Sequence, residues 1–586
     1  MSAPRDSSTF RSRTLRSATS AVLLGLAMAL SAPAWRAATL AGPKPATPAD
    51  IETEDGLRAV LDRLEARYEA ACARLGAAIF ALRGKEPGAT AEAISASRRE
   101  LAALFNDPDL HRVLARWVAR RTVTRDPTLS RRVFLWNRAG LSAAADFDPE
   151  ISALADDLAG RITDAQYTYK GRQVTRDEIL RVLEEDPDPK NRREAWTARV
   201  SFAASIKKDV HRLIRLRALK ARELKAEYYH HLVLAAHDLE PYWFFSALES
   251  FGLKTRGAYG SLQESLRKAL GKDRIEPWDL DFAMHRLDAG EDTAGIASKA
   301  FPVDGAPAAL AKLTSALGFQ QIPTASDRIL SAGFPFDGLA LGIRIPSDTR
   351  ILLNGAQGTG GIEFYESLFR RHAMALQNAF NKQPAPMLKG YQWITGMRNA
   401  PYAEGIAGGV AGFLRDPLFL ERQLGLSATQ IETFLGHDRQ RRLLSLRRLL
   451  LSGGMEFAAY VNPDADLDQR YRGLYLKSLD ITLPPGEPVP WQDDILLVTD
   501  PFHAAGAVVG LTVEAAFQER IRALFGDERF GSGKAAQWLM ENCYSDGEML
   551  PLGRRLAKSL QGGMDLDPYL DTLGIPRTPK ARTAAP

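Results

Sequence analysis

The sequence predicts a mainly α-helical protein with a small amount of β-structure. Three observations carry that expectation. Apolar residues recur at helical spacing over long stretches, as in Leu57, Val60, Leu61, Leu64, Tyr68, Cys72, Leu75 and Ile79. The breaks between such stretches fall near Gly88 and at Asp107-Pro108, Asp126-Pro127 and Asp186-Pro187, which stop or open helices. Strand-like patterning is concentrated between Ile329 and Leu353, where Ala340-Leu-Gly-Ile-Arg-Ile345 and Arg350-Ile-Leu-Leu353 flank Pro346.

A chain of 586 residues, 45% hydrophobic and 25% charged, is long enough to bury a large core. The formal charge of +5 is small for this length, and basic and acidic residues are intermixed, so nothing favours a nucleic-acid partner. The two cysteines, Cys72 and Cys543, are too few for a disulfide scaffold; they form either one staple or two buried thiols.

Taken in order, the chain opens with an export signal. Arg5, Arg11, Arg13 and Arg16 precede the apolar run Ala21 to Leu30, and Ala32-Pro-Ala34 offers small residues for cleavage. The run is too short to span a bilayer, and no later stretch is long and apolar enough to do so. Residues 1–38 are therefore expected to be a signal peptide, 39–54 a linker rich in Pro and Gly, 55–575 a helical domain, and 576–586 a disordered tail. The expected location is periplasmic or secreted.

Helices are expected from Asp55 to about Gly160. Tyr167-Thr-Tyr169, Lys170-Gly171 and Arg172-Gln-Val174 then read as strand, turn and strand, and Thr175 to Glu178 as a capping box. The helix from Arg192 to about Lys225 is strongly basic, a pattern that usually marks a solvated face. His230, His231 and His237 have no acidic or cysteine partner at ligand spacing and read as packing or surface residues. Ala308 to Leu317 reads as a helix, and Asp279 as a candidate helix cap. The Gly-rich stretches Asn354 to Gly361 and Gly531 to Ala535 lack the Lys-Ser/Thr of a phosphate-binding loop and read as turns. No G-x-S-x-G elbow is present. The basic amphipathic stretch His437 to Leu451 reads as a helix at the edge of a bundle rather than one lying on a membrane.

The stretch Glu363 to Phe380 organises the rest. Leu368, Phe369, Leu376, Ala379 and Phe380 make one apolar stripe, while Arg370 and Met374 lie one turn apart with Arg371 beside them. Glu366-Ser-Leu-Phe369 and Ala375-Leu-Gln377 make this helix resemble that of the thimet oligopeptidase and oligopeptidase F families, which runs E-T-L-F-H-E-F-G-H-A-L. Arg192-Arg-Glu-Ala-Trp196, Glu227-Tyr-Tyr-His-His231, Glu276-Pro-Trp-Asp279 and Asp348-Thr-Arg350 are similar to further segments of these families. Tyr402 to Leu420 resembles the angiotensin-converting-enzyme helix that carries the third zinc ligand, and Asp500 to Phe525 the final family helix. The resemblance covers about Tyr167 to Phe525. It implies a two-lobed helical zincin-like peptidase fold, with a deep cleft and a small β-sheet before the motif helix.

In that register Arg370 and Met374 stand at the two zinc-histidine positions and Arg371 at the catalytic glutamate. Glu404, 30 residues after Met374, matches the third ligand, and reads equally as a carboxylate favoured at a helix N-terminus. His503 matches a histidine that holds the substrate carbonyl, while Ala505 and Gly506 stand where the family has a tyrosine. Zinc peptidases need two imidazoles, a carboxylate and an open position for water. A guanidinium stays protonated and cannot ligate a cation, and a thioether is a poor ligand for zinc. The expected reading is therefore a catalytically inactive homologue without cofactor, whose Arg370, Arg371, Glu404 and His503 are candidate binding residues. Its expected partner is a peptide or a protein. Two alternatives are an active zinc oligopeptidase, which alone would require zinc, and a helical scaffold with an unused cleft.

Overall fold

Aspartate–proline pairs punctuate the first half of the chain. Asp107, Asp126, Asp148 and Asp188 each accept a backbone N–H of the following helix, with Pro at its first position. A proline there loses no hydrogen bond and has the right φ, so each pair starts a helix cleanly. The computed structural model describes residues 51–120, 124–288, 300–319, 325–330, 338–354, 361–391 and 400–577. The expected signal peptide, most of the linker and residues 578–586 of the tail lie outside them, as do residues 355–360 of the Gly-rich stretch.

Residues 50–586 form one compact unit. Four helices open it: α1 (Glu54–Arg83), α2 (Ala91–Phe105), α3 (Pro108–Val118) and α4 (Pro127–Asp146). The linker expected through residue 54 ends sooner, because Thr53 caps α1 through its hydroxyl. A hairpin follows, β1 (Gln166–Tyr169) and β2 (Arg172–Thr175), with both turn residues, Lys170 and Gly171, at positive φ. Thr175 and Glu178 close the expected capping box.

The second sheet has the order β3-β5-β4, with β3 (Ala325–Leu330) parallel to β5 (Asp348–Asn354) and β4 (Gly338–Arg344) antiparallel to it. Strand periodicity makes it a wall between two apolar cores. Leu341, Ile343 and Leu352 join a core built mainly from α1–α4, while Ala340, Ile351 and Leu353 join the larger core around the motif helix. The fold is the mostly helical one expected, with the small sheet directly before the motif helix Ile362–Ala379.

Two expectations are corrected. The basic helix, Pro189–Glu223, is not simply a solvated face: Arg192 and Arg217 are buried and Arg199 is bonded to Asp493. Asp279 does not cap a helix with its side chain, which instead takes Arg192 and Lys272 into a buried ion pair. The arginine partners come from far along the chain, 87 residues for Arg192–Asp279 and 294 for Arg199–Asp493, so helical spacing alone gives no sign of them. Cys72 and Cys543 are both buried free thiols in different cores, so no staple forms.

Candidate functional site

Three helices meet at the site: the motif helix, the glycine-rich helix Pro401–Ala411 and the helix His503–Phe525. Gly405, Gly408 and Gly409 let the second approach the third closely. A Cβ on Gly405 would sit 2.4 Å from Cβ of Val513, and one on Gly409 would sit 2.3 Å from the Phe517 ring. A Cβ on Gly408 would fall 2.6 Å from Nη1 of Arg370 and 2.5 Å from Oε2 of Glu514. That glycine therefore keeps open the volume the guanidinium fills.

Arg370, Arg371, Met374 and Glu404 come together. Arg371 Nη1 donates to Glu404 Oε1 at 3.2 Å and lies 3.3 Å from the Met374 sulfur. Arg370 Nη1 donates to the Glu404 carbonyl at 3.2 Å and stands 3.9 Å from its carboxylate. Arg370 Nη2 is 3.6 Å from Glu514 Oε2, and Arg442 approaches the other oxygen of Glu514 at 3.9 Å. These side chains are mostly enclosed: Glu404 is 15% exposed and Arg371 11%, whereas Arg370 keeps 28%. Charges alternate outward from here. Arg415 and Arg441 both bind Glu366 and Asp438, and Arg441 also binds Glu363. Burial would raise the Asp438 carboxyl, but the guanidiniums of Arg415, Arg441 and Arg442 outweigh it and hold it far below the usual range.

Glu514 and Arg442 escaped sequence reasoning. The available signal was that Glu514 is the sole charge in the apolar run from Ala504 to Gln518, and a lone carboxylate in such a run requires a partner. His503 is not part of this cluster. It lies eleven residues before Glu514 on the same helix, roughly 16 Å away along the axis, and its Nδ1–H donates to Glu456 Oε1 at 3.1 Å. His372, the imidazole of the motif helix, is buried with Nδ1 against the Leu368 carbonyl at 3.0 Å. His230 and His237 are also buried, and His230 packs among Tyr228, Phe245, Phe457 and Phe502.

The donor set does not fit zinc. At the motif it comprises two guanidiniums, a thioether and one carboxylate already engaged by Arg371. Among the described residues, no group of three His, Cys, Asp or Glu side chains is placed to hold a metal ion.

The architecture is similar to that of helical peptidases of known structure. Two solved structures share it: a PZ peptidase A determined with an inhibitor (TM-score 0.59, 14% identity, 82% of this chain and 86% of that one), and an oligoendopeptidase F (TM-score 0.54, 14% identity, 88% of this chain and 94% of that one). At this identity the likeness is one of fold. No protein-family model and no curated protein matches the sequence.

Proposed function

We propose that this chain is an exported, non-hydrolytic protein on a zinc-oligopeptidase scaffold, with a peptide or protein as its ligand. The observation that carries the proposal is the Arg371–Glu404 bond, which puts a fixed guanidinium on the carboxylate that the sequence register makes the third zinc ligand. An arginine is charged at every physiological pH, so Glu404 needs no metal to offset its burial. The same substitution removes the general base and both imidazoles, so no residue of the motif is left to activate water. Arg370 is the more exposed guanidinium and makes one hydrogen bond, leaving N–H donors for a ligand carbonyl or carboxylate.

Elemental analysis of the purified chain, combined with a peptidase assay on a peptide library, tests this reading. Substoichiometric zinc and no cleavage are expected; stoichiometric zinc with chelator-sensitive cleavage would sink it. Replacing Arg370, Arg371 and Met374 by His, Glu and His is the complementary experiment, and recovered zinc binding is the expected result.

The scaffold alternative has one observation in its favour. The cavity beside Met374 and Tyr402 is only about 50 Å³, space for water rather than for a peptide residue. A peptide array read by surface plasmon resonance separates the two, since a scaffold binds no member.

A further inference from the structure

A second cavity, of about 400 Å³, is lined by the helices Pro189–Glu223 and Ala428–Val461 and by His503. None of the motif residues lines it. Its size falls in the range of small-molecule sites.

Its charges balance. Arg176, Arg199, Arg448 and His503 face Glu456, Asp493 and Asp494, and Arg448 is in turn held by Asp281. A lone anion or a lone cation therefore gains no net attraction from the pocket as a whole.

Some of these groups are satisfied by one another. Arg199 and Asp493 form a two-fold bond, with Nε–Oδ2 at 2.7 Å and Nη2–Oδ1 at 3.0 Å. Others are left over. Glu456 is 1% exposed; its Oε1 accepts from the Phe502 N–H and from His503, but its Oε2 has no hydrogen-bond partner among the described residues. A buried carboxylate oxygen in that state calls for a donor from outside.

Unspent donors stand around the same cavity. Arg176 makes long contacts to Asp493, 3.4 Å to the carbonyl and 3.9 Å to its carboxylate, and also meets the Tyr167 hydroxyl, which leaves some of its five N–H groups over. Among the described residues, no protein atom bonds the hydroxyls of Ser452 and Tyr471 or the Nε2 of His503. Met455, Leu497 and the Trp491 ring supply apolar wall.

We infer that this cavity binds a small zwitterion with an apolar side chain, a free amino acid or a short peptide with both termini free. Its ammonium meets the orphaned oxygen of Glu456. Its carboxylate takes the N–H groups of Arg176 and His503 and the Tyr471 hydroxyl. A site that is neutral overall yet holds both an unfilled acceptor and unfilled donors is matched by a ligand carrying both signs. The inference does not depend on the arginine pair of the motif helix.

Calorimetric titration of the full chain provides the test. The probes are L-leucine and L-leucyl-L-leucine, with N-acetyl-L-leucine and L-leucinamide as the single-charge controls. One-to-one binding of at least one zwitterion is expected, with both controls weaker by about tenfold or more. Which zwitterion binds identifies the source as a free amino acid or a peptide. Arg176→Met and Tyr471→Phe, which leave the buried Glu456–His503 pair in place, should each lower affinity several-fold. Failure of both zwitterions to bind, equal binding of N-acetyl-L-leucine, or unchanged affinity in both variants would overturn the inference. The proposed loss of metal and hydrolysis would stand in each of those cases, because zinc content and cleavage report on it separately.

Discussion

Arg371 holds Glu404 in an ion pair at the motif helix, and its removal is the sharpest local test. Arg371→Ala would leave the Glu404 carboxylate enclosed with, among the described residues, the longer Arg370 contact alone. A loss of about 2–3 kcal/mol in urea unfolding is expected, because an uncompensated enclosed charge is costly. Adding Glu404→Gln should restore most of it, since the charge that needed a partner is then gone; a double-mutant cycle with no coupling would contradict the pairing. The sequence made a partner for Glu404 readable, because an enclosed carboxylate needs a cation and Arg370 and Arg371 were the cations of the motif. It did not make Glu514 readable as the partner of Arg370, since the helix–helix contact that joins them spans 144 residues of chain.

The glycine-rich helix is the element that sets how close the site's walls come. Gly405→Ala should destabilise the protein by about 2 kcal/mol or more, even though alanine favours the helix itself by about 1 kcal/mol. The reason is the 2.4 Å approach that a Cβ would make to Val513. Val513→Ala in the same chain should recover part of the loss in thermal unfolding, and a neutral single variant would show that the two helices stand further apart. The long helix Ala428–Val461 carries a similar lesson. Its basic stretch was expected to be a helix at the edge of a bundle, yet Arg447 is bonded to the carbonyls of Ser478, Gly252 and Lys477 and to the Thr255 hydroxyl, and Arg441 to carboxylates. Periodicity reported that the element was helical and amphipathic. It could not report that the charged face was enclosed, because that depends on which elements arrive opposite it.

For the whole molecule, histidines set opposing limits on stability. Burial alone would push His503 down, but the charge and hydrogen bond of Glu456, with Asp494 and Asp500, hold it up at about 9. Its folded value exceeds the unfolded value of about 6.5, so its stabilising contribution is complete below about pH 6.5 and is lost as pH rises through about 9. Burial pushes His230 and His237 down to about 4. They stay neutral in the fold while the unfolded chain takes up protons, so their contribution is lost as pH falls from about 6.5 towards 4. Each of the three histidines contributes on the order of 3 kcal/mol. Urea midpoints measured across pH should show His503→Gln flattening the alkaline limb and His230→Phe flattening part of the acid limb; parallel profiles for both variants would refute the assignment.

By itself the sequence determined the helical class, the hairpin and its capping box, and the sheet before the motif helix. These are written in local patterns, in periodicity, in capping residues and in the chemistry of single side chains, which a stretch of chain carries wherever it is placed. Only the tertiary structure decided that Glu514 meets Arg370, that Gly408 makes room for them, that the basic helices bury Arg192, Arg217 and Arg447, and that His503 sits with Glu456 at a separate cavity. Those outcomes depend on which distant surfaces are brought together, and a buried charge takes its meaning from its neighbours rather than from its place in the chain.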